Sequence, residues 1–307
     1  MRIINPKFEI LHQGENNGLY DVYEMIKTSG QTCYDSESKR TPFDFVQMLI
    51  NSGHGAMLEH GTIYLTYKCI WDIWEGDSFV EKYQNNPYSK VSYEKPDEII
   101  DCWAKGIFYI TTNYRVLIEN GWLDDLEYFT EPTDYHEKRV TVRFTTQIAI
   151  SREYNRHRVD SIAEQSTRYC NYSKDKYNGN VSIVKPTWVA DIIKDNEKSV
   201  DVDLRSMCQS IYLGDDMVEW DALRYWLLSN LVAEYSYLNM IRLGRTAQEA
   251  RTVLPLDTRT ELVHTAFVSD WKHFFDLRAL GTTGKPHPDA KILAEPLMEE
   301  FKRLKLI

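Results

Sequence analysis

A cluster of arginines lies in the segment from Ser151 to Lys174, which reads SREYNRHRVDSIAEQSTRYCNYSK. The chain has a formal net charge of −10, so solubility does not explain a local concentration of positive charge. Guanidinium groups stay charged at any working pH and bind phosphate through paired hydrogen bonds. The segment is therefore a candidate phosphate site, although an exposed helix with ion pairs is the simpler interpretation of an isolated basic cluster.

The spacing within this segment suggests two neighbouring ligands. Arg152 and Arg156 are four residues apart, so a helix through this stretch would place both on one face. Arg156 and Arg158 would diverge by roughly half a turn, so one could serve a substrate and the other a cofactor. The EQSTR sequence that follows predicts a loop suited to a nucleotide, with Arg168 and the Ser166 hydroxyl at its phosphate.

The composition excludes several classes of partner. With 46 acidic and 36 basic residues, the chain lacks the basic surface that a general nucleic-acid binder needs. No apolar run reaches membrane-spanning length, and the first residues do not resemble a secretory signal. The five cysteines are scattered, without metal-site spacing, and indicate reduced thiols. We therefore predict a cytoplasmic protein with no metal site and no membrane or nucleic-acid partner.

The motifs that usually identify a catalytic nucleophile or a nucleotide-binding loop do not occur. The sequence contains no GxGxxG, Walker A, HExxH or GxSxG pattern, and none of its cysteines stands in a recognisably activated setting. An enzyme without an evident nucleophile or metal can take its reactivity from an organic cofactor.

The elements that must position these residues are predicted from periodicity. Segments 62–69 and 139–150 alternate as strands and are expected to pair, with a polar and aromatic insertion, 70–138, between them. A helix is expected near 97–120 within this insertion. Residues 218–243 form the longest helical pattern, and apolar residues on most of its faces predict deep burial or packing against a partner chain.

Capping signals place three further helix ends. Thr41, followed by proline, predicts a helix start, and Gly53 predicts its end. Thr246 and Glu249 have the spacing of a capping box just before an arginine. Ser269 is predicted to be the N-cap of a later helix.

Arg156, His157 and Arg158, followed after seven residues by Ser166, resemble the signature of the flavin-dependent thymidylate synthases, also called thymidylate-synthase-complementing proteins. Five blocks stand in the order typical of that family: GHGAMLEH, EQSTRYCNYSKDKY, QEARTVLPL, SDWKHFFDLR and KPHPDAK. They cover most of residues 30–70 and 140–305, and five ordered blocks are far more specific than the signature alone.

The resemblance implies an α/β (α+β) fold, with a central, mostly antiparallel sheet flanked by helices. It implies one domain over residues 1–307, with 70–138 as a family-variable insertion that we interpret as decoration rather than as a lid or a tetramer contact. It implies a homotetramer with active sites between subunits, FAD as the cofactor, and NADPH and 5,10-methylenetetrahydrofolate as co-substrates. The substrate would be dUMP, methylated to dTMP, and in that family reduced flavin rather than a cysteine activates the uracil.

The resemblance also implies the role of individual residues, carried over position by position. The dUMP candidates are Glu153, Arg156, Glu164, Gln165, Ser166, Thr167, Arg168, Arg251 and Arg278. The FAD candidates are His54, Arg156, His157, Arg158, Glu164 and His273. Arg278 is also the catalytic candidate, because an arginine on the uracil would stabilise the charge that develops there.

Some positions depart from the family pattern. Phe267 and Ser269 stand where family members often have an Asn and an Arg that contact FAD, and Ala56 stands where a hydroxyl residue often meets it. The GTTGKP stretch lengthens the region after Arg278, so the histidine typical of that region is not clearly matched. Two alternatives therefore stay open: a related folate- and flavin-dependent pyrimidine nucleotide alkylase, such as a hydroxymethylase, and a non-catalytic nucleotide-binding descendant.

Overall fold

The computed structural model describes residues 1–72, 77–94, 99–100, 103–190 and 221–307. Within these ranges the chain combines helices with strands that are mainly antiparallel. The α/β (α+β) prediction is therefore confirmed. No helix in these ranges is both long and apolar enough to cross a membrane.

The central sheet has four antiparallel strands. In spatial order they are β2 (Lys7–Leu11), β7 (Arg139–Gln147), β10 (Arg259–Phe267) and β8 (Ser161–Glu164). β7 and β10 pair along their whole length, with Arg259 opposite Gln147 and Phe267 opposite Arg139. Both are rich in valine, threonine and phenylalanine, which favour a pleated, half-buried surface.

A second antiparallel sheet is formed by β3 (Thr62–Asp72), β4 (Lys90–Tyr93), β5 (Ile99–Ile100) and β6 (Trp103–Asn113). The predicted pairing of 62–69 with 139–150 is wrong, because β3 pairs with β6. The helix predicted near 97–120 is also wrong over most of its length, since only Tyr114–Asn120 is helical. The stretch GIFYITT is rich in β-branched and aromatic residues, which favour a strand. The two ends of the insertion 70–138 therefore do not lead into paired strands.

Helices flank the sheets, and a short parallel pair links the N-terminal segment to the middle of the chain. This pair consists of β1 (Arg2–Ile4) and β9 (Ser182–Val184). The α-helices among the described residues are α1 (Leu19–Tyr34), α2 (Pro42–Asn51), α3 (Ser78–Gln84), α4 (Tyr114–Asn120), α5 (Ile148–Tyr154), α6 (Thr187–Ala190), α7 (Ala222–Arg242), α8 (Ala247–Ala250), α9 (Val268–Phe275) and α10 (Pro288–Arg303).

Most of the predicted helix ends are confirmed. The Thr41 side chain accepts a hydrogen bond from the Asp44 N–H at the start of α2, and Gly53 follows that helix with a φ of 70°. The capping box before α8 is present. The N-cap predicted at Ser269 is wrong, because α9 begins at Val268 with Phe267 as its N-cap.

Two hydrophobic cores lie on opposite faces of the central sheet. Successive side chains of a strand point to opposite faces, so Leu262 of β10 packs into one core and Val263 into the other. The first core contains residues of α5, α9 and α10, among them the fully buried Trp271, whose indole N–H donates to the Val140 carbonyl at 3.0 Å. The second packs α1, α2 and β3 against β8 and β10. The sheet therefore holds the residues that follow α5 and α9 at fixed positions.

The longest helix in the described ranges, α7, is only partly buried within the chain. Leu231 and Tyr237 are buried, whereas Tyr225 and Tyr235 are 57% and 61% exposed. Of the two predicted alternatives, deep burial within the chain is therefore wrong. Residues 218–220 of the predicted helix lie outside the described residues. Packing of this helix against a partner chain stays a prediction.

Candidate active site

Arg278 stands at the centre of the first group of candidate residues, in the π-helical turn Asp276–Leu280 that follows α9. Its Nη1 donates to Glu153 Oε2 at 2.7 Å, and its Nη2 donates to the Glu153 carbonyl oxygen at 2.8 Å. Its Nε donates to Nε2 of His157 at 3.1 Å. Three hydrogen bonds thus fix the guanidinium plane, and they bring together candidates from distant parts of the chain.

His157 is a neutral acceptor in this group. Burial, with smaller contributions from the nearby His264 and Arg278, lowers its pKa to about 4. The imidazole can therefore accept from Arg278 at neutral pH instead of repelling it as a second cation. Next to it lies a fully buried pair in which His264 Nε2 is 2.7 Å from Asp160 Oδ2.

A cavity of about 790 Å³ opens beside Arg278. This volume is within the range of small-molecule and cofactor sites, about 300–1,000 Å³. Its lining carries the cationic side chains of Arg156, Arg158, Arg278 and Lys285, against the single carboxylate of Glu153. The cavity therefore suits a ligand with several negative charges.

Two further histidines line the same cavity. His273 was predicted as a site residue, and its ring lies 5.9 Å from the ring of His157. His287 was not assigned a role, although the KPHPDAK block contains it. It caps α10, where its Nδ1 accepts from the Asp289 N–H at 3.2 Å. Because the turn after Arg278 is longer than in the family pattern, His287 could not be matched to the histidine of that pattern from the sequence.

The arginines of the RHR sequence lie beyond the helix that was expected to carry them. α5 ends at Tyr154, with Asn155 as its C-cap, so Arg156 and Arg158 stand in the turn that follows. The prediction that Arg152 and Arg156 share one helical face is therefore wrong. Asparagine competes with helical backbone bonds, which favours a helix end at this point.

Glu164 connects the end of α5 to the EQSTR loop. Its carboxylate accepts from Ser151 Oγ at 2.5 Å, from Asn155 Nδ2 at 2.9 Å and from Thr260 Oγ1 at 3.2 Å. These three donors come from α5, the residue after it, and β10. The side chain is therefore held in one orientation between the two groups of candidate residues.

The EQSTR loop is anchored through its backbone. The Gln165 N–H donates to the Glu261 carbonyl at 2.7 Å, which extends the pairing of β8 with β10. The Ser166 N–H donates to the Cys33 carbonyl at 3.0 Å, at the end of α1. These bonds fix the backbone and leave the side chains of the loop to meet a ligand.

Arg168 and Arg251 form the second group of candidate residues. Arg168 Nε donates to Gln248 Oε1 at 3.0 Å, and Arg251 Nη1 donates to Thr167 Oγ1 at 3.4 Å. Gln248 lies in the short helix α8, and Arg251 follows directly after it. This helix therefore places both residues beside the loop. Two exposed arginines beside one loop, with the Thr167 hydroxyl next to Arg251, suit a phosphate.

His54 belongs to the same side of the molecule as the loop. Its Nδ1 lies 2.5 Å from the Tyr34 hydroxyl, and the Tyr34 ring meets the Tyr169 ring edge-on at 6.0 Å. Tyr169 directly follows Arg168, while His54 is not among the residues that line the cavity. His54 and the RHR residues therefore lie apart within a single chain, and the FAD contact of His54 stays a prediction.

Two buried polar atoms beside Glu164 have no partner among the described residues. They are Oδ1 of Asn155 and Nε2 of Gln165. Buried polar groups are nearly always hydrogen-bonded in folded proteins. A bound ligand or cofactor between the two groups could satisfy them.

The insertion reaches the start of α9. Lys90 of β4 donates to Ser269 Oγ, lies 3.6 Å from Asp270 Oδ1 and stacks 4.7 Å above the Phe267 ring. Phe267 and Ser269 are two of the positions at which the sequence departs from the family pattern. The insertion therefore places a lysine against Phe267 and Ser269. Its interpretation as decoration did not predict this contact.

The described cysteines are not set up as nucleophiles. Burial raises the pKa of Cys69 to about 11 and that of Cys170 to about 12, and it also raises the pKa of Cys33. All three are free thiols. Cys102 and Cys208 lie outside the described residues. No group of three or more potential ligands for a metal ion occurs in the part of the chain that is described.

The part of the chain that carries most of these residues matches a known protein family. The sequence profile of the family described as thymidylate synthase complementing protein matches residues 136–304, more than half of the chain. No curated protein matches the chain by sequence.

Among solved structures, the chain is similar to the UMP/dUMP methylase PolB from Streptomyces cacaoi. The structure bound with 5-Br dUMP shares 14% identity and has a TM-score of 0.43, with 99% of this chain and 93% of that chain covered. The structure bound with 5-Br UMP also shares 14% identity and has a TM-score of 0.39, with 98% and 91% covered.

Proposed function

Because the chain belongs to the family of thymidylate synthase complementing proteins, we propose that it is an FAD-dependent thymidylate synthase that methylates dUMP to dTMP. The carbon donor would be 5,10-methylenetetrahydrofolate, and NADPH would be the reductant. The observation that supports this most strongly is Arg278, which Glu153 and His157 hold beside a cavity lined by arginines.

The two arginines at the EQSTR loop are proposed to hold the dUMP phosphate. Arg168 and Arg251 supply the charge, while Ser166 and Thr167 supply hydroxyls. Charge-assisted hydrogen bonds from guanidinium groups are the strong kind, so these two residues would dominate nucleotide affinity. Glu164 and Gln165, at the start of the loop, would meet the uridine moiety.

The cavity fits FAD. Its volume and its excess of cationic side chains match a dinucleotide with two phosphates, which Arg156, Arg158 and His273 would hold. The unpartnered Asn155 Oδ1 and Gln165 Nε2 are consistent with a ligand nearby. Bound FAD would supply the redox chemistry of the reaction.

Arg278 would act on the uracil ring electrostatically. A guanidinium that is already oriented by three hydrogen bonds needs no reorganisation when negative charge develops on the pyrimidine. His157, being neutral, adds no second positive charge beside the guanidinium. Glu153 fixes the direction of the remaining N–H bonds.

We further propose that each active site is completed between subunits of a homotetramer. Within one chain, the hydrogen bonds of Arg168 and Arg251 lie among residues of the loop and α8, apart from the Arg278 group. Both groups could contact one nucleotide most simply if the loop of one subunit faced the cavity of another. The exposed aromatic face of α7 is a candidate for the contact between them.

The experiment that tests the function is reconstitution of the purified protein with FAD, followed by mass analysis of the product from dUMP, 5,10-methylenetetrahydrofolate and NADPH. The proposal predicts a yellow protein that forms dTMP. A yellow protein that forms a hydroxymethylated nucleotide would instead select the related alkylase. A protein that takes up no FAD yet binds dUMP would select a non-catalytic nucleotide-binding descendant.

A further inference from the structure

A second cleft, of about 360 Å³, lies outside the candidate active site. It is bounded by β1, β2 and β9, by the 3₁₀ turn Asp175–Tyr177 and by the start of β10. None of the residues assigned above to dUMP or FAD lines it. Its volume is at the lower end of the range for small-ligand sites, about 300–1,000 Å³.

The lining of this cleft is positively charged in an acidic protein. Four cationic side chains line it: Arg2, Lys7, Lys176 and Arg259. Its two carboxylates are already engaged, since Asp35 pairs with Lys176, and Glu261 pairs with Arg259 at 2.5 Å. The cations of the lining therefore outnumber its carboxylates, in a chain with a net charge of −10. Such a concave basic region focuses the field and concentrates anions.

The cleft is also held in shape by the sheet. Lys7 pairs with Thr145 across β2 and β7, and both residues line the cleft. Arg259 reaches from the cleft to the nucleotide loop, where its Nη1 lies 3.5 Å from Gln165 Oε1. Of the two ion pairs, Lys176–Asp35 joins the 3₁₀ turn Asp175–Tyr177 to the residue after α1, and Arg259–Glu261 lies within β10.

We propose that this cleft binds a small ligand that carries at least two negative charges, in the form of phosphate or carboxylate groups. Lys7 adds positive charge to the lining beyond that of the two ion pairs, while Arg2, Lys176 and Arg259 supply guanidinium and ammonium donors at the walls. The lining also contains neutral polar groups, from Asn5, Asn178 and Ser182. This combination of excess charge and polar groups matches a compact polyanion.

Isothermal titration of the full-length protein at low salt tests the proposal, with inorganic pyrophosphate and citrate as separate probes. We expect saturable binding of at least one probe, and Lys7→Ala should weaken it about fivefold or more, because one nearby unit charge is lost. Lys7→Gln keeps a polar side chain and should weaken it similarly. Binding of pyrophosphate alone would identify a phosphate ligand, and equal binding of citrate would identify a site selected by charge.

Two matched variants distinguish binding in this cleft from binding elsewhere on the protein. Lys68→Ala removes an exposed strand lysine away from the cleft and should leave binding unchanged. Arg251→Ala weakens any binding of the probe at the proposed nucleotide phosphate site and should leave binding in this cleft unchanged. The proposal is overturned if neither probe binds, if Lys68→Ala weakens binding as much as Lys7→Ala, or if the binding is lost in Arg251→Ala.

Discussion

The orientation of Arg278 is set by its neighbours. Glu153 accepts from both terminal nitrogens of the guanidinium, once through its side chain and once through its backbone, while His157 accepts from Nε. A carboxylate and a neutral imidazole thus hold a cation beside a cavity without cancelling its ability to act on a ligand. Within the proposed function, this makes Arg278 the residue on which turnover depends most.

Arg278→Ala is expected to lower kcat by about a hundredfold or more, since removal of one preorganised donor at a developing charge has effects of that order. Folding and assembly should survive, because Arg278 is partly exposed and its partners can be hydrated. Steady-state kinetics and gel filtration measure both. Arg303→Ala, which removes an exposed arginine that pairs with Glu300 at the end of α10, is the control. Full activity in Arg278→Ala would show that the assignment is wrong.

Much of the candidate site could be predicted from residue order. The RHR sequence, the EQSTR loop and Arg278 stand at spacings that carry the family resemblance, and the structure brings Glu153, His157 and Arg278 together. His287 and Lys285 could not be placed, because a loop of changed length precedes them. The position of a side chain after a long turn depends on how the turn closes, which local sequence does not encode.

Short elements position the second group of candidates. The capping box of α8 ends shortly before Arg251, and Thr246 Oγ1 accepts from the Glu249 N–H at 3.3 Å. α8 has only four residues, Ala247–Ala250, so it has little helical stability of its own. The cap therefore contributes directly to the position of Arg251.

Thr246→Ala is expected to weaken dUMP binding severalfold, because the loss of a cap costs about 1 kcal/mol and loosens the short helix that carries Arg251. Thr246→Ser keeps the hydroxyl and should bind dUMP like the wild type. Equilibrium titration with dUMP compares the three proteins. If Thr246→Ala and the wild type bound dUMP with equal affinity, the cap would not be needed to position Arg251.

The 3₁₀ turn Gly55–His60 places a neutral histidine under the central sheet. His60 is fully buried, and its Nδ1 lies 2.8 Å from Thr265 Oγ1. Burial, with smaller contributions from the charges of Arg139 and His264, lowers its pKa to about 3. The unfolded chain therefore binds protons below pH 6.5 that the native protein cannot take up at this residue.

This difference predicts that the contribution of His60 to the free energy of unfolding is fully present above about pH 6.5 and decreases as the pH falls towards 5. The contribution of His60 has a slope approaching about 1.4 kcal/mol per pH unit. His60→Gln should have a shallower dependence than the wild type in urea unfolding between about pH 7 and 5. His12→Gln, at an exposed histidine, should keep the wild-type slope. Identical slopes in wild type and His60→Gln would contradict the prediction.

Strand pairing was the weakest part of the prediction from sequence. The sequence correctly identified strands at 62–69 and over 139–147 of the predicted 139–150, where 148–150 instead begin α5, but it carries no information about their partners. β3 pairs with β6, which lies in the insertion, and β7 pairs with β10, more than a hundred residues later in the chain. Pairing is set by which hydrophobic faces meet in the two cores, and this is a property of the whole fold.

At the scale of the whole molecule, the candidate residues form two separate groups in one chain. Arg278 lies with the cavity, while Arg168 and Arg251 lie with the loop and α8. The family resemblance implied that some site residues come from a neighbouring subunit, and this arrangement is consistent with that proposal. The apolar character of α7, which the sequence interpreted as deep burial or as packing against a partner chain, is consistent with the same assembly.

A mixture of two inactive variants tests this assembly. Arg278→Ala and Arg251→Ala each remove one half of the proposed site, so either homotetramer should have little activity. Co-expressed subunits should regain roughly a quarter of wild-type activity, because random assembly pairs an intact cavity with an intact loop in that share of sites. Activity no higher than that of the separate variants would indicate that both halves come from one chain.

The central claim is that this chain exchanges the hydrogen at C5 of dUMP for a carbon unit at the site around Arg278. Tritium release from 5-tritiated dUMP by the FAD-loaded protein measures this step directly. We predict release that requires both 5,10-methylenetetrahydrofolate and NADPH and that is lost in Arg278→Ala but kept in Arg303→Ala. A folded, FAD-loaded protein that binds dUMP but releases no tritium in the presence of both co-substrates would contradict the account.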